Sequence, residues 1–595
     1  MASPLADVCL NLVESVDDAA SLKRWLGERR PGDSIAIDTE SSGLSPEKDK
    51  LRLVQVGDER TGWAIPWDRW GGVAVEVMES WDGGWDTHNG VFDWRFLARH
   101  TGVELPWHRL DDTLTLARID DPTRLNGLKP LSKMLIDKRA VSMQKSLSDG
   151  MAANRWTWGT VPIAFPPYWQ YSALDPVLTK HLKNHLAPKV METAPEAYAL
   201  ERAANRICAL MMMKGMMIDV PYVEKSISTF AAKSAEIRAW LKKTHQISSP
   251  KSGGQIRRAF EAVGQEILFW TEKNAPQFDR EALAFYEKQG QNGAVKQLAQ
   301  LIRGVRHIED ISGRYLEAFL DVRDSDDIVR CNINVMGART SRMSVSDPAL
   351  QQLPRDDKMI RGSFVPRPGY VFISCDLDQV EMRILAHLSK DPGLIAAFLE
   401  ADAGGADFFT AVARILFRDD GLIKSDPRRQ LVKNSSYARA YGSGRDRLAA
   451  TAGVSIDEIS VFENLFDDRF PGMKTLMDTL ERQAKADFRS GGRGGVRLED
   501  GRFLPCDKGK EYTTLNYAIQ GQAARYMKIC LSNLDAAGLT DMLVLPVHDE
   551  ILLEAPIDQA QDILKVVEDC MTSRGVYSTP LTAGGSILPE RWVKL

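Results

Sequence analysis

The sequence predicts a multidomain fold, α/β in its first third and α+β in the remainder. Three observations predict it. The first ~190 residues alternate short apolar runs with helical stretches and hold eleven of the fourteen tryptophans, as in an α/β domain with its own core. Residues 371–389, VFISCDLDQVEMRILAHLS, read as a buried strand that stops on a carboxylate and gives way to an amphipathic helix. Residues 543–554, LVLPVHDEILLE, read as two β-rich apolar runs flanking a turn with acids at its tip. At ~150 residues per domain, a chain of 595 residues makes about four domains and can bury several cores.

Taken in order, the elements place candidate chemistry at strand ends. Residues 34–40, SIAIDTE, form a short strand closing on two acids. Residues two apart share a strand face, so Asp38 and Glu40 can bind a metal together. The run NGVFD at 89–93 supplies Asp93 in a loop-to-helix setting, and Tyr171 and Asp175 stand one helical turn apart. From residue 201 the pattern turns helical. Met211, Met212, Met213, Met216 and Met217 are read as core packing rather than a promiscuous binding face. Residues 222–320 are mostly helical and charged, and strand signals return at 328–334.

In the 371–389 segment, Val371, Phe372 and Ile373 lead to Asp376. Val380, Ile384, Leu385 and Leu388 then recur at helical spacing. A carboxylate at a strand end can project into a cleft and hold Mg²⁺. Residues 390–490 read as helical. Within them Arg429, Lys433, Tyr437 and Tyr441 recur every four residues, about one turn and ~6 Å per step, making one stripe. Two cations followed by two aromatics suit a triphosphate followed by sugar and base. Residues 491–501 form a Gly- and Arg-rich turn region. The hairpin at 543–554 carries His548, Asp549 and Glu550 at its tip. Asp376 and Asp549 would then be the two carboxylates that clamp a pair of metal ions for phosphoryl transfer.

Composition narrows the function classes. Charged residues at 26% and hydrophobic ones at 44% are ordinary for a soluble chain, and no apolar run approaches the ~18 residues of a membrane span. The N-terminus carries neither a signal nor a transit pattern. Seven scattered cysteines without a C-x-x-C pair argue against zinc and disulfide frameworks and fit a reducing cytoplasm. The net charge of −5 does not advertise nucleic-acid binding, but phosphate contacts are counted locally. Residues 425–447 carry six Lys or Arg against two Asp, and residues 250–258 carry three basic residues and no acid.

These segments resemble family A DNA polymerases, the bacterial DNA polymerase I family. Where the family reads D-Y-S-Q-I-E-L-R in its first polymerase motif, this chain reads Asp376-Leu377-Asp378-Gln379-Val380-Glu381-Met382-Arg383. The third motif, V-H-D-E, is matched by residues 547–550. The second, R-x-x-x-K-x-x-x-[FY]-x-x-x-Y-G, is matched from Arg429 to Tyr441-Gly442. Thr340-Ser341-Arg342-Met343-Ser344 is similar to the family's T-G-R-L-S segment. Asp38 with Glu40, Asp93, and Tyr171 with Asp175 resemble the motifs of the family's 3′–5′ proofreading exonuclease.

The resemblance implies an RNase H-like exonuclease domain at 1–195, followed by a right-hand polymerase. Palm entry and thumb would occupy 196–330, palm 331–400, fingers 401–500 and palm again 501–595. It implies two Mg²⁺ ions in each active site. Asp376, the Leu377 carbonyl and Asp549 would hold one pair, with Glu550 as an auxiliary acid. Asp38, Glu40, Asp93 and Asp175 would hold the other, with Tyr171 orienting the attacking water. Arg429 would bind the outer phosphates, Lys433 the phosphate nearer the sugar, and Tyr437 the sugar, with Gln379 also at the nucleotide. Glu381 would stand where a 2′-hydroxyl would arrive. Arg342, Tyr441, Asn516, Gln520 and His548 would contact DNA. Minor-groove acceptors occur on every base pair, so such contacts check shape without reading sequence.

The implied partners are primer-template DNA and dNTPs, with no membrane, for a monomer in the host bacterial cytoplasm if the source is a phage. A bacteriophage enzyme of the mycobacteriophage type fits, because the chain has no room for a 5′-nuclease domain. No thioredoxin is expected, since the thumb shows no extra block, and replisome partners stay open. Family members carry Phe or Tyr where Tyr437 stands. Three departures matter. Asp378 replaces a Ser, Phe409 stands where many relatives have a phosphate-binding His, and Pro546 replaces a Gln and should make its strand irregular. Two alternatives remain at this point: a single-subunit RNA polymerase, or an exonuclease with a non-catalytic DNA-binding scaffold.

Overall fold

The computed structural model describes residues 4–354, 358–441, 449, 455–573, 575 and 577–593. Gly442, Arg445 and Arg447, which belong to the second polymerase motif and the basic stretch, lie outside the described residues. No described helix is long and apolar enough to cross a membrane.

The N-terminal part is the expected α/β unit. Its strands β1 (Cys9–Leu12), β2 (Ser34–Ser41), β3 (Leu51–Gly57), β4 (Thr61–Pro66), β5 (Gly84–Thr87) and β6 (Leu110–Asp112) form one sheet in the order β1-β4-β3-β2-β5-β6. β2 pairs antiparallel with β3 and parallel with β5, which places it at the centre. The tryptophans explain themselves: Trp25, Trp63, Trp81, Trp85 and Trp94 all sit in the core that this sheet shares with its flanking helices. The long helix Pro166–Thr193 crosses the other side of the sheet and brings its residues to the end of β2.

The next helix, Pro195–Lys214, belongs to both halves of the molecule. Ala209 packs into the N-terminal core, while Ile207, Cys208, Met211 and Met212 pack into the C-terminal one. The methionine cluster is therefore core. Beyond it, helices Val220–His245, Gly253–Ala262, Arg280–Gln289 and Gly293–Ile311 meet in a small separate core of Leu241, Phe260, Phe278, Tyr286, Leu298 and Ile302.

The second large sheet has four antiparallel strands, in the order Leu543–Val547, Glu550–Pro556, Tyr370–Leu377, Ala583–Leu588. The register puts Asp376 opposite Glu550. Pro546 lies on the edge strand, where its missing donor is tolerated, and it still pairs with Ile551. The strand is irregular as expected, but the register shift falls between Leu543 and Leu545. The fourth strand was not foreseen. At Gly585 it runs close under the next helix, where a Cβ would meet Leu564 Cδ1 at 2.3 Å and that side chain would have to turn away. Trp592, 1% exposed, then packs edge-on against Phe364 and under Arg361.

The Gly- and Arg-rich region is not only turn. Gly495–Arg497 and Phe503–Pro505 form a short antiparallel hairpin. The Asp487 carboxylate accepts the Gly494 N–H at 2.7 Å at its entry, and Arg502 is turned inward. Arg502 and Lys528 both donate to Glu201 Oε1, at 2.6 and 2.5 Å, and all three are buried. Lys528 also donates to the Ser341 carbonyl at 2.9 Å, tying this network to the segment that presents Arg342. Glu201→Gln would leave the buried Lys528 facing a neutral amide and Arg502 relying on its second partner, Asp500, at 3.1 Å. It should destabilise the chain by ~3–5 kcal/mol, read as a lower melting temperature and an earlier loss of activity on heating. An unchanged melt would show that the network carries no net stability.

Candidate active sites

The first site is built at the end of β2. Asp38 and Glu40 project from one face of the strand, and Asp175 arrives from the helix Pro166–Thr193. Their carboxylate oxygens lie within 4.8 Å of one another. Asp93 comes from the first turn of the helix Gly90–Thr101. It accepts the Thr39 hydroxyl at 2.7 Å and adds its charge to the field at Asp38. Ser172 donates to Glu40 at 3.1 Å. The Tyr171 phenol stands among the same acids, which together with burial push its pKa upward.

Sequence reasoning missed two members of this site. Lys129, on the helix Leu128–Leu135, forms a buried ion pair with Asp175. Nothing in the spacing of a lone lysine 46 residues before its partner signals this contact. Thr39 was also missed, although its position between Asp38 and Glu40 could have suggested a second contact.

Burial raises all four carboxyl groups, and repulsion from neighbouring acids of the set adds to it for Asp38 and Glu40. Asp38 is held well above the usual range by burial and then by Asp93, Asp175 and Glu40. Glu40 is pushed up to about 8 by burial and Asp175, and Asp93 to about 7 by burial. Asp175 is raised by burial against the pull of Lys129. An oxygen-only set of converging acids that resist ionisation fits a hard divalent cation.

A pH dependence follows for the chain kept in EDTA. Between the ordinary Glu value of 4.5 and the folded value of about 8, the folded chain holds a proton that the unfolded chain has released. The stability from this protonated form is complete below the lower value and is lost as pH rises to about 8. Melting temperatures in EDTA should therefore fall across that window, and Mn²⁺ should flatten the slope. An identical slope in Glu40→Gln would rule Glu40 out as its source.

The second site is at the end of the four-stranded sheet. The Leu377 N–H donates to the Asp549 carbonyl at 3.0 Å, which fixes the ends of the first and third motifs side by side. Gln379 and His548 take left-handed backbone angles, φ 49° and 58°, so the chain turns sharply beside each aspartate. His548 Nε2 lies 3.1 Å from the Gln351 carbonyl. Asp549 is exposed and Asp376 half-buried.

Among the described residues no third carboxylate joins Asp376 and Asp549 in a cluster as tight as the first site. Glu550 is buried, accepts the Ser374 hydroxyl at 2.5 Å and lies 3.7 Å from Arg361. Asp378 is exposed and accepts from Thr582 at 3.1 Å.

The helix Pro427–Ala440 faces this end of the sheet. Glu381 and Asp549 both raise the pKa of Tyr437, to about 12, after burial as the first cause. Arg429 is held by Asp407 through contacts of 2.7 and 3.0 Å, and the Arg429 and Lys433 cations each lie 5.9 Å from the Phe409 ring centre. The Tyr437 and Tyr441 rings are 6.1 Å apart at 26°. Glu381 accepts from Arg342 at 2.7 Å and from the Tyr441 hydroxyl. Gln520, one turn beyond Asn516 on the helix Thr514–Ala536, accepts from Thr340 at 3.3 Å. Asp407 was not anticipated as the partner of Arg429.

A family model described as DNA polymerase family A matches residues 222–592, well over half of the chain. The chain belongs to that family. A second model, described as 3′–5′ exonuclease, matches residues 13–191 of this family A polymerase. The DNA polymerase of Mycobacterium phage D29 is 29% identical over 573 residues, covering 93% of this chain and 92% of that one. DNA polymerase I of Chloroflexus aurantiacus is 26% identical over 603 residues, covering 94% of this chain and 61% of that protein. In fold, the polymerase is similar to the POL domain of Pol1 from M. smegmatis, solved in complex with DNA primer-template and dNTP. The TM-score is 0.79 at 22% identity, over 98% of this chain and 99% of that one. The chain is thus a DNA polymerase with a 3′–5′ exonuclease domain. Neither the RNA polymerase nor the scaffold alternative finds support among these relatives.

Proposed function

We propose that this polymerase extends a DNA primer at the palm site and trims mismatched 3′ ends at the N-terminal site, in the replication of a phage genome. The observation that carries the palm assignment is the Leu377–Asp549 backbone hydrogen bond, which gathers two strand-end aspartates opposite the helix of Arg429, Lys433 and Tyr437. Asp376, Asp549 and the Leu377 carbonyl would hold divalent ions, Mg²⁺ on this reading, as Asp38, Glu40, Asp93 and Asp175 would in the exonuclease. Bound there, such ions supply Lewis-acid stabilisation of the charge that develops on the phosphate oxygens.

The chain's own groups do the rest. In extension, the primer 3′-oxygen forms a bond to the α-phosphorus while the α–β P–O bond breaks and pyrophosphate leaves with the electron pair. Arg429 and Lys433 neutralise the triphosphate, with Asp407 setting the direction of Arg429. Tyr437 packs on the sugar, and Glu381 closes the space a 2′-hydroxyl would need. Tyr441 leaves Glu381 to stack at the templating base. Arg342 contacts the primer end, and Asn516, Gln520 and His548 follow the duplex. In trimming, Tyr171 orients a water whose oxygen attacks the terminal phosphorus, and the P–O3′ bond breaks to release a mononucleotide.

One labelled primer-template tests both halves. The wild-type chain should lengthen the primer with dNTPs, shorten it without them, and leave it unextended with ribonucleotides alone. Failure to lengthen would remove the palm assignment, and failure to shorten would remove the exonuclease assignment.

A further inference from the structure

Lys129 is the cation inside the acidic cluster of the exonuclease site, and its three contacts all fall on one motif. Its ammonium pairs with Asp175 Oδ1, donates to the Tyr171 carbonyl at 3.2 Å, and lies 3.9 Å from the centre of the Tyr171 ring. The side chain is only 7% exposed, so this geometry is built into the packing. Asp175 offers an oxygen within 4.8 Å of oxygens from Asp38 and Glu40, so the carboxylate that Lys129 engages is also part of the set that fits a divalent ion.

We propose that Lys129 is a positioning residue of the exonuclease that holds Tyr171 and Asp175 in place and competes with the divalent ion for the Asp175 carboxylate. This rests on the exonuclease reading given above. Two consequences follow with opposite signs. The fixed positive charge repels a dication and occupies one of its ligands, so ion binding is weaker than the carboxylates alone would give. The same contacts fix the ring that orients the attacking water and the carboxylate that faces it, so the saturated site works faster with the lysine than without it. A lysine that served only the fold would give neither signature, because its loss would loosen the site and weaken both.

The test titrates Mn²⁺ into the full chain by electron paramagnetic resonance, in an Asp549→Ala background. The signal lost in Asp38→Ala with Glu40→Ala defines the exonuclease component. Lys129→Met should bind Mn²⁺ at that component roughly tenfold more tightly. Its trimming rate at saturating Mn²⁺ should be ~10- to 100-fold lower, by analogy with other partners that orient metal ligands. Lys129→Gln should behave like Lys129→Met, which guards against one variant failing to fold. Lys129→Arg keeps the charge and should keep ion affinity within about twofold of wild type. Primer extension by the same Lys129 variants with Asp549 restored reports on folding.

Unchanged or weaker Mn²⁺ binding in both neutral variants, or a wild-type rate at saturation, would overturn the proposal. If instead the Asp38→Ala, Glu40→Ala control changes neither Mn²⁺ binding nor trimming, the exonuclease assignment itself fails.

Discussion

Asp549→Ala is expected to lower primer extension at least ~10³-fold while 3′ trimming continues at the wild-type rate. The expectation comes from what the substitution removes and what it leaves. The Asp549 side chain is exposed at the hairpin tip rather than packed in the core. The contact that joins the two motifs runs from the Leu377 N–H to the Asp549 carbonyl, a backbone group that alanine retains. The variant therefore deletes one carboxylate from an otherwise intact site, and a lost rate reports the carboxylate rather than a collapsed hairpin. Asp38→Ala with Glu40→Ala should give the reverse pattern, with extension kept and trimming lost. Both activities are read on one labelled duplex. Extension by Asp549→Ala at near the wild-type rate would show that the palm acids have been wrongly assigned.

Tyr437 should make this polymerase accept dideoxynucleotides almost as readily as deoxynucleotides, and Tyr437→Phe should restore discrimination. The phenol sits on the helix facing the palm, between the rings of Phe409 at 5.8 Å and Tyr441 at 6.1 Å, with Glu381 and Asp549 in its field. A Phe there leaves an empty space when the incoming sugar lacks its 3′-hydroxyl. The Tyr hydroxyl can fill that space and serve as the missing hydrogen-bond partner. An unsatisfied polar group in a closed site costs ~1–3 kcal/mol, which corresponds to a ~5- to 150-fold preference. The measurement is the ratio of dideoxy- to deoxynucleotide incorporation in an Asp38→Ala, Glu40→Ala background. Equal ratios for the parent and Tyr437→Phe would reduce Tyr437 to a packing residue.

What could be read from the chain without coordinates was the local geometry. A strand alternates its side chains, so Asp38 and Glu40 had to share a face. Apolar runs that stop on an acid place that acid at a sheet end, which located Asp376 and Asp549. Four-residue spacing put Arg429, Lys433 and Tyr437 on one side of a helix, although the helix ends at Ala440 and Tyr441 is its cap rather than its last turn. These relations are set by backbone dihedrals over a few residues, and the sequence determines them alone.

The tertiary structure decided which distant residues meet. Lys129 reaches Asp175 because two helices pack against each other, and Asp407, at the start of the helix Phe408–Phe417, holds Arg429 on the helix Pro427–Ala440. Glu550, read as an acid at the hairpin tip, is drawn under the sheet by Ser374 and Arg361. The strand Ala583–Leu588 has two adjacent glycines and no apolar alternation strong enough to announce it. It exists because the open edge of Tyr370–Leu377 offers backbone partners, and the helix Ala560–Met571 packs against it. Glu201, Arg502 and Lys528 lie up to 327 residues apart and become a unit only once burial makes each unpaired charge costly. Periodicity carries no information about such pairs. They are selected by packing and desolvation, which act on the folded chain as a whole.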